Sequence, residues 1–413
     1  MPNPTAPRSR AQVYRRRRIT VGVILALVVA LLVYLPLTLL APLSKASAQT
    51  ISSPAAPQAT AAPVFPGYGV GAIGAIGWDG VLAQSGDGQP HAMASITKII
   101  TALVVLEKHP LAADEDGPSV TMTAKDVGYY SRYQAMNGSV KPVRAGAIYT
   151  ERQLLELTLI ESAANYAQTT AVWAYGSEEA YLAAAKDWLV AHKLTSTTVA
   201  DTIGLDPGSA STATDLVELG KIALTQPALA QIVDTKKMDI PGVGEVENTN
   251  YLLGHDGVDG IKTGTLDGYG ANLLFSATWK IGGHPVRIVG VVVGAPDHRT
   301  LKGDLVNLLT TTRAGFHSVD VAAEGTAFAT YQTVWGQKSQ AVAAKKESLL
   351  VWSDTPIAVK VTAAETGVAL KGAKLGTAVF SAGPNTVEVP LALSKKITDP
   401  GPWWRLSNPG SLG

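Results

Sequence analysis

The chain has 413 residues, 46% apolar and 16% charged, a composition that excludes wholesale disorder and has room for two domains. Its 34 Lys and Arg balance 33 Asp and Glu, so the formal net charge of +1 gives no global attraction for nucleic acid. Cysteine is absent, which excludes disulfides, a thiolate nucleophile and thiolate-bound metal.

Arg8, Arg10 and the run Arg15 to Arg18 precede an uncharged apolar stretch from Ile19 to Leu43. About 25 residues suffice to cross a bilayer as a helix, and Pro36 is compatible with that. The charge asymmetry predicts residues 1–18 in the cytoplasm, 19–43 as a single-pass signal-anchor in the cell membrane, and the rest extracytoplasmic. The rival is a cleavable signal peptide: Ala46-Ser47-Ala48 has the form of a cleavage site, and cutting after Ala48 would leave a secreted protein. Residues 44–66 carry one charge, Lys45, among Ala, Pro, Ser, Thr and Gln, the composition of a linker.

A domain is expected over 67–318. Strand patterns at Val70 to Trp78 and Val81 to Ala83 open it, followed by a helix from Ser95 to Lys108. Helical patterns cover Glu151 to Tyr175, Glu178 to His192 and Ala213 to Thr225. Strand patterns return at Gly257 to Thr265, Gly270 to Trp279 and Val286 to Gly294, before a helix from Thr300 to Phe316. This order predicts an α+β fold, an antiparallel sheet flanked by helices with a helical subdomain. Residues 319–413 alternate in short segments between turn residues, as in a small all-β domain. Trp403-Trp404-Arg405 end that tail; domain packing is the plain expectation, and contact with glycan or a membrane interface the sharper one.

Ser95 and Lys98 open a helix apolar on nearly every face, and residues three apart share a face. A serine needs a base, and a desolvated lysine, its pKa lowered, can serve. The plainer alternative is a helix cap beside a snorkelling lysine. Lys262-Thr263-Gly264-Thr265 lies in a strand pattern, where lysine and threonine can hold a carboxylate and glycine admits a substrate backbone. An exposed edge there could bind an extended peptide as an added strand. Between them, Ser162-Ala163-Ala164-Asn165 falls at a helix junction, where Ser and Asn could face a cleft or simply cap. The 7 histidines are scattered with no His-Glu-x-x-His, and no Gly-x-Ser-x-Gly elbow is present.

The ordered triple Ser-x-x-Lys, a Ser-x-Asn-like element and Lys-Thr-Gly resembles the signature of penicillin-recognising serine enzymes. The words around Ala94 to Leu103, Asn248 to Leu253, Asp259 to Thr265 and Gly270 to Leu273 are similar to the D-alanyl-D-alanine carboxypeptidases, the low-molecular-mass penicillin-binding proteins. The resemblance covers about residues 66 to 317. It implies a β-lactamase/transpeptidase-like catalytic domain, peptidoglycan stem peptides as substrate, β-lactam binding, and no metal or organic cofactor. It further implies Ser95 as nucleophile, Lys98 as base and Ser162 as proton relay. Lys262, Thr263, Gly264, Thr265 and Asn165 would bind substrate, and the backbone N–H groups of Ser95 and Thr265 would form the oxyanion hole.

Two positions depart from the family pattern. Ala164 stands where Ser-x-Asn has its amide, with Asn165 one residue later. Ile203, in Asp201 to Asp206, replaces a small polar residue. Two other readings follow: a catalytically impaired cell-wall binding or scaffold protein of the same fold, or a β-lactamase. The anchor, the extra β domain and the lack of an obvious deacylating Glu speak against the latter.

Overall fold

The computed structural model describes residues 10–51 and 56–413; Arg8 of the expected basic segment and residues 52–55 of the expected linker lie outside the described residues. The chain forms two compact units. One comprises Pro57–Ser318 with Leu350–Thr355; the other takes the described residues through Ala56, Val319–Leu349 and Pro356–Gly413.

The first unit is α+β. Its sheet has five antiparallel strands in the order Val258–Leu266, Gly270–Ile281, His284–Ala295, Val70–Ala75, Ala83–Ser85. Alternate side chains of a strand face opposite sides. Leu274, Val289 and Val291 therefore pack into a core with the helical block, including Ile99, Ile100, Leu154 and Leu216. Leu273, Phe275 and Val292 meet Leu301, Leu305 and Leu308 of the His298–Gly315 helix on the other side. Trp352 closes the second core against Phe316, ring centroids 4.7 Å apart.

The helical pattern over Glu151 to Tyr175 is two helices, Glu151–Leu159 and Ala164–Tyr175, broken at residues 160–163. Helices Ala124–Ala135 and Pro227–Asp234 add to the block. Val258–Leu266 has a neighbour on one side only, so it is an edge strand.

The second unit has a six-stranded sheet in the order Gln49–Thr50, Ala327–Gln332, Lys338–Ala343, Asn385–Leu393, Lys374–Ala382, Ala358–Ala363. Gln49–Thr50 lies inside the stretch whose composition reads as linker; it pairs with Thr330 and Ala329, and Ala46 bridges to Thr366. The helix Arg10–Leu39 belongs to this unit and is about 45 Å long at 1.5 Å per residue. It is long and apolar enough to cross a membrane, and its apolar window is unburied by the rest of the protein. Leaving so many Val, Leu and Ile side chains in water would be unfavourable, which fits a single-pass anchor.

Candidate active site

Ser95 lies in a short 3-10 turn, Ala94–Ile96, immediately before the helix Thr97–Lys108. In a 3-10 turn residues i and i+3 eclipse, so the lysine side chain returns over the serine. Lys98 Nζ lies 2.7 Å from Ser95 Oγ and donates to the Ile203 carbonyl at 3.0 Å. Ala94 holds a left-handed φ of 51°, an arrangement that costs a non-glycine residue about 1–2 kcal/mol and persists only when its surroundings impose it.

Part of that imposition comes from the loop at 201–206. The Asp201 carboxylate accepts the backbone N–H groups of Ile203 at 3.0 Å and of Leu205 and Asp206 at 2.8 Å, and also that of Gly204. The loop then presses so close that a Cβ on Gly204 would stand 1.9 Å from the Ala94 carbonyl oxygen. Only glycine fits there, at φ 81°.

The edge strand passes the other side of the serine turn. A Cβ on Gly264 would lie 2.8 Å from the Met93 carbonyl oxygen and 3.3 Å from Ser95 N, so glycine sets this approach. Thr263 Oγ1 lies 2.6 Å from Thr249 Oγ1, and Lys262 Nζ donates to these hydroxyls at 3.4 and 3.2 Å. The Lys262 side chain is buried behind the pair. Thr265 Oγ1 is 2.6 Å from Nε2 of His298, the first residue of the last helix of this unit.

The third side is the helix break. Ser162 also has a left-handed φ, 61°, and is nearly buried. Ala164 N–H donates to the Ser139 carbonyl at 2.7 Å, while Ser139 Oγ donates to the Glu161 carbonyl at 3.0 Å. These bonds hold residues 137–139 against the break.

A cleft of about 430 Å³ results, lined by Ser95, Lys98, Ser162, Thr263, Gly264 and Thr265 of the expected residues, and by Ala164. Lys262 reaches it through the two threonine hydroxyls. Asn165 is not among the lining residues. Its Oδ1 accepts from Lys141 N–H at 3.1 Å and its Nδ2 donates to the Lys141 carbonyl at 3.0 Å, so both ends of the amide are engaged elsewhere. Asn137, Gly138, Ser139, Leu205, Thr249 and His298 line the cleft without having been singled out as site residues. Thr249 had a signal, the Asn248 to Leu253 word; His298 had none.

Burial controls the electrostatics. The Lys98 ammonium is desolvated, which brings its pKa down to about 7, against a smaller upward pull from the Asp201 carboxylate. Lys262 is held well below the usual lysine range by burial and then by the nearby Lys98. Burial also lowers His298. The arrangement supplies a hydroxyl beside a lysine that is part neutral near pH 7, next to a strand edge with polar hydroxyls and a second, buried lysine. Among the described residues no group of three His, Asp or Glu side chains is placed to hold a metal ion.

Residues 79–297 match the family model described as D-alanyl-D-alanine carboxypeptidase. The D-alanyl-D-alanine carboxypeptidase DacC of Escherichia coli K12 is 28% identical over 308 residues, 74% of this chain and 73% of that protein. DacA of the same organism is 26% identical over 265 residues, 63% of this chain and 64% of that protein. Penicillin binding protein 6B of Escherichia coli shares the fold with a TM-score of 0.58 at 21% identity, over 83% of this chain and 99% of that one. A peptidoglycan synthesis regulatory factor (PBP3) from Streptococcus pneumoniae does so with a TM-score of 0.58, over 79% of this chain and 98% of that one.

Proposed function

We propose, from the premise that this chain belongs to the D-alanyl-D-alanine carboxypeptidase family, that Ser95 is its nucleophile and Lys98 the base that activates it. The chain is a serine-type carboxypeptidase; family membership implies peptidoglycan stem peptides as substrate and β-lactam binding. In the proposed course, Lys98 takes the Ser95 proton as Oγ attacks the carbonyl between two D-alanines. The backbone N–H groups of Ser95 and Thr265 stabilise the oxyanion, which the close passage of Gly264 beside Ser95 N supports. Ser162 relays the proton to the departing D-alanine. The terminal carboxylate is held by Thr263 and Thr265, with Lys262 behind them and Gly264 leaving room for the peptide along the strand edge. Water then releases the shortened stem.

The observation that carries this reading is the 2.7 Å contact between Lys98 Nζ and Ser95 Oγ in a cleft bounded by the Lys-Thr-Gly strand. The impaired-binder reading is not favoured, because nucleophile, base and strand stand together. The test is a fluorescent penicillin label with D-alanine release from a stem peptide. Parent protein gives lasting label and released D-alanine. Ser95→Ala gives neither and keeps its thermal transition; undiminished labelling would remove Ser95 as nucleophile.

Residues 19–43 are further proposed to stay uncleaved as one membrane span, with residues 1–18 cytoplasmic and the chain after the span outside. Four consecutive arginines before the span support that orientation.

A further inference from the structure

The tail at Trp403 supplies none of the residues that line the cleft. Its short helix, Pro402–Ser407, packs on the end of the Arg10–Leu39 helix remote from the arginines. Tyr34 hydroxyl donates to the Leu406 carbonyl at 2.7 Å, and Arg405 Nη1 donates to the Ala41 carbonyl at 2.6 Å. Gly413 N–H donates to the Pro42 carbonyl at 2.9 Å, and Leu43 bridges to Leu412. The neighbouring residues Trp403 and Trp404 differ: Trp404 turns onto Trp335, ring centroids 5.9 Å apart, while Trp403 is 83% exposed.

Other apolar tips lie on loops joined to the same place. Between residues 319 and 413 the large exposed apolar side chains are Val334, Val368, Leu370 and Trp403. Val334 adjoins Trp335, which contacts Trp404. Val368 and Leu370 flank Ala369, which bridges to Ile397, and the nearby Thr366 bridges to Ala46. Asp399 in turn holds Arg405 at 2.6 Å. Three exposed apolar side chains on these loops, with Trp403 on the short helix, would be unfavourable in water.

The level of these contacts agrees with a bilayer. If Arg18 marks the inner edge, roughly 30 Å of hydrocarbon ends about 20 residues later, near Thr38. Tyr34 then lies roughly 6 Å inside the outer boundary, within the depth of 5–10 Å at which interfacial helices seat. Tyrosine and tryptophan favour that layer.

We infer that the Pro402–Ser407 helix, with Leu370, Val368 and Val334, forms a membrane-seated collar around the outer end of the span, its Trp403 ring in the lipid headgroup layer. The partner is a lipid bilayer surface, and the inference rests on reading Arg10–Leu39 as a span. The collar holds the β unit flush with the lipid, so that this unit does not swing on a free tether.

The chain has no cysteine, so single labels can be placed at will. Full-length variants Trp403→Cys, Leu370→Cys, Leu25→Cys and Thr386→Cys carry an environment-sensitive fluorophore. Each is reconstituted in phosphatidylglycerol–phosphatidylcholine vesicles containing lipids with a quencher at a shallow or a deep acyl position. Thr386 is exposed and lies roughly 20 Å along its strand from Ala392, near which Leu370 turns. Shallow quenchers are expected to reach the labels at 403 and 370, deep quenchers the label at 25, and neither the label at 386. Quenching at 25 with none at 403 and 370 overturns the collar and leaves the span intact. No quenching at 25 overturns the span, and the collar with it.

Discussion

Gly264→Ala probes the approach of the strand to the serine turn. The added Cβ would stand 2.8 Å from the Met93 carbonyl oxygen, 3.1 Å from Ala94 Cβ and 3.3 Å from Ser95 N, where ordinary contact begins at 3.4 Å. Two of those three atoms belong to backbone, so no flexible side chain can swing away. Relief needs the strand and the turn to part by roughly 0.6 Å. Reacting groups tolerate such shifts badly: a misplacement of about 1 Å can cost a hundredfold. The same parting separates the Ser95 and Thr265 N–H groups, the proposed oxyanion donors. Acylation by penicillin is therefore expected to fall at least roughly tenfold, about 1.4 kcal/mol in barrier. Gly264 does not have a positive φ, so alanine meets no backbone strain, and overpacking costs about 1–3 kcal/mol, a drop in Tm of roughly 2–12 °C. The assay is the second-order labelling rate with a fluorescent penicillin beside a thermal melt. A folded variant that acylates within threefold of the parent refutes the claim that this glycine sets the approach.

Lys98 acts as base only when neutral, and its pKa near 7 means that acylation should rise with pH through about 7 and fall tenfold per unit well below it. A labelling rate that is flat from pH 5 to 9, or that falls as pH rises, contradicts this; Lys98→Arg should lose the rise along with most of the rate, since a guanidinium keeps its proton. Asn165→Ala leaves both backbone groups of Lys141 without their present partner, at a cost of about 1–3 kcal/mol, so the melt should drop while the parent pH profile of labelling is retained. An unchanged melt with lost acylation would return Asn165 to the chemistry.

What could be read in the sequence was whatever carries its own pattern. The run from Ile99 to Leu106 is apolar but for Thr101 and reads as a buried helix. The strand from Val258 and its two successors alternate or run apolar between Gly turns, and each was legible to within a few residues. The helix Ala124–Ala135 was not, because only Tyr129 and Tyr133 face the core and Gly128 interrupts its propensity. Gln49–Thr50 was read through a linker composition, yet a two-residue strand with both side chains exposed needs only backbone pairing, which composition does not report. His298 reaches Thr265 because the strand His284–Ala295 returns antiparallel and delivers the next helix to the cleft; a lone histidine 33 residues away carries no trace of that. The amide of Asn165 binds Lys141, 24 residues back in the chain, which spacing alone could not separate from a site role.

The two departures from the family pattern belong to one local change. Ala164 and Ile203 pack in the same cluster, with Tyr129, Tyr133 and Ala167 around them, and both are buried. The small methyl at 164 and the isoleucine at 203 thus share one packed apolar space. Restoring the amide alone by Ala164→Asn would therefore overpack the space beside Ile203, at about 1–3 kcal/mol, and would not raise turnover. Ile203→Ser alone would open a small cavity in this cluster, while the bond from Lys98 to the residue 203 carbonyl is to backbone and survives. Together the changes supply space and a hydroxyl for the amide, so the double variant should be more stable and faster than the singles imply. Contacting residues typically couple by 0.5–3 kcal/mol, whereas independent sites add within roughly 0.5 kcal/mol. Melts and D-alanine release for the parent, both singles and the double give that coupling directly. Additive values in both assays would mean that the cleft tolerates each substitution separately, and that the apolar pair does not replace the missing amide as a unit.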